Sequence, residues 1–386
     1  MAELEMKTRR QIIEKQREVY EKASRKKKGA ILDGLCMTTG LSRCRVKHML
    51  AEGKGSERPK RKRPGRKPIY TEAVQHALEW LWALMDFASG KRLVAGLSDM
   101  LDALERAGEL GFEHETVALL RSMSAATADR LLKPQKDRMR FRGISTTKPG
   151  TLLKKNIPIR LGTQWDNNVP GFMECDLVAH CGVSGAGEFI NTLNMTDVCT
   201  QWTETRAVIN KAQKHVFEGI VHIRRNLPFP LLGIDSDNGS EFINNELFRY
   251  CQEEKLAFTR SRPYQKNDGC HVEQKNWSVV RRNIGYLRYE GQTAVDLMNY
   301  YYDRLRLHAN FFLPCVKLIS RERSGAAVKK RYDKPLTPYR RILASPDVLQ
   351  EDKDALASIY ANLNPVTLKR DMIALLDQIL MLAIPH

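Results

Sequence analysis

The chain has 386 residues, 42% of them hydrophobic, and carries 63 Lys/Arg against 45 Asp/Glu for a formal net charge of +18. That length holds about two to four ordinary domains with real cores, and the composition is that of a globular protein rather than a disordered one. No apolar run is long enough to cross a bilayer and no charged-then-apolar leader opens the chain, so a cytoplasmic protein without membrane partners is expected.

The charge is unevenly placed. Residues 1–70 hold 21 Lys/Arg and 8 Asp/Glu, so +13 of the excess lies there. Such an arm releases counterions on meeting a phosphate backbone, which makes nucleic acid the expected partner and not a small-molecule substrate. The eight cysteines are scattered with no CxxC pair, the usage of reduced thiols rather than of a disulfide frame.

In chain order, residues 6–27 lack Gly and Pro and read as one charged helix. Residues 30–50, AILDGLCMTTGLSRCRVKHML, read as a helix-turn-helix or a plain helical hairpin. Gly40 suits the positive φ of a tight interhelical turn, Ser42 is placed to cap the second helix, and Val46 packs inward. Arg43, Arg45 and Lys47 then project from the recognition helix toward DNA. Residues 1–52 form this first module. Residues 53–68, GKGSERPKRKRPGRKP, form a basic linker in which Arg61, Lys62, Arg63 and Arg66 either lie in a minor groove or simply tether.

Residues 69–133 are helical again, with Ser124 capping a last short helix, and read as a second helix-turn-helix-like domain. Residues 134–165 read as a second linker. Within 166–300 the pattern changes to three β-rich segments, then strands alternating with helices (LLGID, EFINNELFRYCQEEK, LAFTR, HVEQKNWSVVRRNIG). That order predicts a mixed sheet covered by helices. Residues 301–386 are basic with interleaved aromatics, as in YYDRLRLHANFF, the pattern of a nonspecific DNA-binding tail. The final helix, TLKRDMIALLDQILMLA, suits either an oligomer surface or a core.

Three acids stand out. Asp176 lies mid-strand in FMECDLVAHC, where an ionised group needs a cation or a partner. Asp237 ends the LLGIDSD strand just before the turn-forming Asn238-Gly239. Glu273 lies on the helix after a loop. Sixty residues separate Asp176 from Asp237 and 35 separate Asp237 from Glu273.

Together with SRPYxxxxG before the glutamate, this D,D(35)E spacing over about residues 165–285 resembles the retroviral integrase superfamily of DDE transposases and integrases. The helical N-terminus, in place of a zinc module, is similar to bacterial insertion-sequence transposases. The resemblance implies an α/β, ribonuclease-H-like catalytic core with a mixed five-stranded sheet, preceded by all-α helix-turn-helix domains. It implies Asp176, Asp237 and Glu273 as catalytic ligands of two Mg²⁺ (or Mn²⁺) ions. Water then frees a 3′-OH at an element's inverted repeat, and that hydroxyl attacks target double-stranded DNA. Tyr264 matches an aromatic of the mobile loop, while Lys275 and Arg281 are placed to contact DNA phosphate. Cys270 stands where retroviral integrases commonly have Gly.

Asp235 shares a strand face with Asp237 by alternation, so it and Asn238 are expected to support the ligands. Concerted joining of two ends requires a homo-oligomer on DNA, a dimer or tetramer, in a bacterial, nucleoid-associated setting. The alternatives are a catalytically silent DNA-binding regulator and a metal-dependent nuclease without strand transfer.

Overall fold

A computed structural model describes residues 4–51, 69–138, 169–236, 239, 241–242, 244–260, 270–324 and 327–384. It divides into two compact units, Met1–Ile69 and Tyr70–His386.

The first unit contains α1 (Met6–Lys22), α2 (Arg25–Thr39) and α3 (Arg43–Ala51) around Ile13, Leu32, Leu35, Val46, Met49 and Leu50. The single helix expected over residues 6–27 is broken. Ala23 and Ser24 both take extended backbone, and Arg25–Lys28 open α2 instead. The break lets α1 fold back so that Ile13 reaches the same core as Leu32 and Val46. Gly40 closes α2 at φ 66°, a left-handed conformation that other residues adopt only at a cost. The Ser42 hydroxyl accepts the Arg45 N–H at 3.4 Å and caps α3, while Val46 is fully buried.

The second unit opens with α4 (Glu72–Leu84), α5 (Gly90–Arg106), α6 (His114–Arg121) and α7 (Ala125–Arg138). The expected linker start at residue 134 falls inside α7, which runs on through Pro134. There follow β1 (Phe172–Ala179), β2 (Asn191–Asp197), β3 (Thr203–Val208), α8 (Gln213–Arg225), β4 (Gly233–Ser236), α9 (Asn245–Glu253) and β5 (Ala257–Arg260). The sheet order is β3-β2-β1-β4-β5. β1 pairs antiparallel with β2 and β2 with β3, whereas β1–β4 and β4–β5 are parallel, α8 carrying the chain from β3 to β4 and α9 from β4 to β5. This is the mixed sheet that the strand and helix order predicts, with the five strands of the ribonuclease-H-like core that the family resemblance implies.

After β5 come α10 (Cys270–Lys275), a π-helical turn (Asn276–Arg281), α11 (Arg282–Ile284) and α12 (Gln292–Phe312). Helix α8 packs on one face of the sheet, where Gly219 leaves only 3.1 Å between a would-be Cβ and the Leu193 side chain. Helix α12 closes the β3 edge. Asn299 exchanges hydrogen bonds with the backbone N–H and C=O of Ala207 (2.8 and 3.2 Å), and Asn310 does the same with Thr203 (3.0 and 2.9 Å). Two helical amides thereby satisfy strand groups that an open edge would leave exposed.

This placement corrects the reading of YYDRLRLHANFF. Tyr301, Tyr302, Phe311 and Phe312 are buried core residues of α12 and offer no stacking face to nucleic acid; Tyr300 is exposed. Burying each such ring contributes about 1.5–3 kcal/mol, which outweighs any advantage of display.

The chain ends with a hairpin, β6 (Leu318–Ser324) and β7 (Ala327–Tyr332), then α13 (Pro338–Ala344), α14 (Gln350–Asn362) and α15 (Pro365–Met381). The Asn364 side chain caps α15 by accepting the Val366 and Thr367 N–H groups at 2.9 and 3.0 Å. Helices α4–α7 share one continuous core with the sheet, α12 and α15, rather than standing apart over 69–133. His308 Nε2 donates to the Leu84 carbonyl at 2.9 Å, Arg340 pairs with Asp99 at 2.7 Å, and Asp86 bonds Lys369. Among the described residues no helix is long and apolar enough to cross a membrane.

Candidate active site

The parallel register sets Glu174 opposite Asp235 and Cys175 opposite Ser236, and the antiparallel register sets Asp176 opposite Asn194. Alternation along the strands therefore gathers Glu174, Asp176, Asp235 and Asn194 on one face. The other face takes Met173, Cys175 and Ile234 into the core. Helix α10 and its π-helical turn cover the acidic face. The Val272 N–H donates to Glu174 Oε2 at 3.1 Å, and Asn276 Nδ2 donates to Asp176 Oδ2 at 2.5 Å. Asn194 Nδ2 in turn donates to Asn276 Oδ1 at 2.8 Å, which fixes which end of the Asn276 amide faces the carboxylate.

Glu174 and Asp235 are fully buried, and Asp235 Oδ1 accepts the Thr259 hydroxyl at 2.6 Å. Asp176 is half-buried, with Oδ1 also accepting the Leu177 N–H at 2.8 Å. Glu273 is exposed on α10, three residues before Asn276, a spacing that brings two residues to one side of a helix. The result is a half-open carboxylate on the sheet and an exposed one on the covering helix, backed by two buried acids. Carboxylates concentrated in this way call for cations or protons to offset their desolvation.

Of the residues singled out from the sequence, Asp176, Asp235 and Glu273 lie in this region. Asp237, Asn238, Tyr264 and the linker residues Arg61, Lys62, Arg63 and Arg66 lie outside the described residues. Arg43, Arg45 and Lys47 are exposed on α3, Arg43 in an ion pair with Asp33 of α2.

Two expected phosphate contacts are placed differently. Arg281 Nη2 donates to the Ala179 carbonyl at 2.8 Å and Nη1 to Gly285 at 3.3 Å, with its guanidinium 4.8 Å from the Tyr286 ring centre. It ties the π-helical turn to the end of β1. Lys275 is half-buried, and its ammonium pKa is lowered by burial first and then by the nearby Arg92 and Arg341.

Sequence reasoning missed Glu174, Asn194 and Asn276. Stepping two residues back from Asp176 along the strand finds Glu174, and stepping three forward from Glu273 along the helix finds Asn276. Asn194 carries no sequence signal, because its role follows from antiparallel register alone.

The model of the integrase core domain family matches residues 166–266. The uncharacterized protein y4rM of Sinorhizobium fredii (strain NBRC 101917 / NGR234) is 37% identical over 340 residues, covering 88% of this chain and 96% of the relative. Among solved structures, the catalytic core domain of BIV integrase is similar at 14% identity over 45% of this chain and 95% of that one, with a TM-score of 0.29. The HTLV-2 integrase catalytic core domain in complex with magnesium (dimeric form) is similar at 12% identity, covering 39% of this chain and 93% of that one, also with a TM-score of 0.29. The segment bearing Asp176 and Asp235 thus falls within an integrase core domain, and the chain belongs to the family of y4rM and to the DDE transposase/integrase superfamily.

Proposed function

We propose that this transposase/integrase-type polynucleotidyl transferase is a DNA transposase that cuts at an element's terminal inverted repeats and joins the freed 3′-OH ends to target DNA. The acidic face of β1 and β4 beneath the Glu273 helix carries this reading. It combines the D,D(35)E spacing with a carboxylate, Asp176, whose orientation is held by a dedicated amide pair.

The donor set consists of hard carboxylate oxygens, which suit Mg²⁺ or Mn²⁺ and not softer metals. Among the described residues no three ligating side chains form a closed cluster, and the third proposed ligand, Asp237, lies outside them. Asp176, Asp237 and Glu273 would hold two such ions. When bound, the ions lower the pKa of the attacking hydroxyl and offset charge on the leaving oxygen.

The chain's own residues do the rest. Asn276 keeps Asp176 from rotating away, Glu174 and Asp235 add negative potential behind it, and α10 brings Glu273 over the sheet. Arg43, Arg45 and Lys47 on α3 recognise the repeat DNA, with two or four copies assembled so that both ends react together, in a nucleoid-associated setting.

A strand-transfer assay with labelled end DNA and Mg²⁺ or Mn²⁺ tests the reading. Products longer than the substrate are expected, and Glu273→Gln should eliminate them. Shortened products alone would identify a nuclease instead, and undiminished joining by Glu273→Gln would remove Glu273 from the role assigned to it.

A further inference from the structure

The β6–β7 hairpin belongs to neither the sheet nor the helical core. It forms a separate two-stranded ribbon in which Ile319, Val328 and Tyr332 are exposed, as are Lys329, Lys330 and Arg331. Apolar and aromatic residues left in water on a ribbon need an explanation, and so does its charge. Residues 318–332 carry five Lys/Arg and a single acid, Glu322. The register sets Glu322 across from Lys329 but Arg321 across from Lys330. So unbalanced a positive charge repels itself, and a polyanion laid along the ribbon removes that cost.

The ribbon's root is rigid. The Lys317 N–H donates to Asp333 Oδ1 at 2.6 Å and the Asp333 N–H to the Lys317 carbonyl at 3.0 Å. Arg341 clamps both sides, donating to Asp333 Oδ2 at 2.6 Å and to the Cys315 carbonyl at 3.0 Å. Arg92 of α5 donates to the neighbouring Pro314 carbonyl at 2.5 Å.

We propose that the β6–β7 ribbon lies in the major groove of the duplex on which the chain acts. This rests on the reading of DNA as substrate and adds the surface that engages it. Strands about 4.8 Å apart with side chains on both sides fit a groove about 12 Å wide, which admits a two-stranded ribbon. Alternation sends Lys329 and Arg331 to one face and Lys330 with Tyr332 to the other, giving each face a cation for the phosphate walls.

The test uses the full chain and measures duplex affinity over a range of salt concentrations. Wild type is compared with K329A/K330A/R331A and with K211A/K214A/R225A, which removes the same charge from exposed positions at α8. The hairpin variant should lose about 2–3 from the slope of log affinity against log salt, at roughly 0.9 per phosphate contact. It should also lose wild type's protection of guanine N7 from methylation at guanines that remain protected in R43A/R45A/K47A, while the α8 variant keeps both. An unchanged slope in the hairpin variant, equal losses in the two variants, or undisturbed N7 protection overturns the ribbon while leaving the transposase reading intact. A wild-type chain that binds no duplex overturns both.

Discussion

Asn276 donates one amide hydrogen to Asp176 Oδ2 while its carbonyl accepts from Asn194, so the carboxylate on β1 is oriented by the helix that carries Glu273. The sheet and the covering helix are thereby registered to each other at the site itself. Asn276→Leu should keep the fold but free the Asp176 rotamer. Joining should then need about 10–100-fold more Mn²⁺ for half-maximal rate, the usual cost of losing a residue that orients a ligand. A metal titration of strand transfer, alongside calorimetric Mn²⁺ binding, checks this; an unchanged midpoint in both would contradict it.

Asp235 and Asp237 should separate by kind of effect. Asp235 is buried and bonded to Thr259, so Asp235→Asn is expected to leave measurable joining, reduced about 10–100-fold. Asp237→Asn should leave none. Parallel strand-transfer assays decide, and equal residual activities would undo the distinction.

Burial raises the Asp86 carboxyl pKa, but the opposing pull of His308 and Lys369 is stronger and holds it well below the ordinary carboxylate range. A depressed pKa contributes stability above the ordinary value and loses it as pH falls toward the folded value. Asp86→Asn should therefore destabilise Tyr70–His386 by about 3–5 kcal/mol at pH 7, since it leaves Lys369 facing an uncharged partner in a half-buried site. The deficit should shrink in strong acid. Urea unfolding at pH 7 and pH 3 gives the comparison.

Asp197 behaves in the opposite sense. Desolvation pushes its carboxyl up to about 6 from 3.8, although Thr200 and Gly171 donate to it at 2.6, 2.7 and 2.8 Å. A raised pKa favours the folded state fully below 3.8 and loses that contribution as pH climbs to about 6. The loss is on the order of 3 kcal/mol. Asp197→Asn should flatten the stability profile between those two pH values whatever its offset, and an unflattened profile would be the contrary result.

Gly171 sits at φ +117°, and a Cβ there would lie 2.4 Å from the Pro230 carbonyl oxygen. Gly40, at φ +66°, faces open space. Gly171→Ala should cost several-fold more than Gly40→Ala, about 3 kcal/mol or more against about 1, because it adds a backbone clash to the conformational strain. Thermal melting of the two variants measures the difference.

The sheet was legible because β1 and β4 are apolar runs interrupted by acids at even spacing, bounded by Gly, Pro and Asn. The acidic face was only partly legible. A single aspartate draws notice, but Glu174 reads as an ordinary polar strand residue until register sets it against Asp235. Helix α12 misled for a related reason. Tyr301, Tyr302, Leu305, His308, Ala309 and Phe312 form a helical stripe, yet Asp303, Arg304 and Arg306 between them give the linear sequence a basic, aromatic look. One of those charges is itself committed inward, since Arg306 grips the buried Glu204 with contacts of 2.8 to 3.0 Å. Such pairings join residues about a hundred positions apart and leave no local trace.

The shared core of α4–α7 with α12 and α15 bears on how the enzyme can be dissected. A fragment trimmed to the matched stretch, residues 166–266, would lack the helix that seals the β3 edge, and one beginning at residue 166 would strip the neighbours from His308, Lys369 and Arg340. Either truncation exposes apolar surface and invites aggregation. Residues 70–386 form a compact unit suited to expression alone, with the first 69 removable as a separate unit.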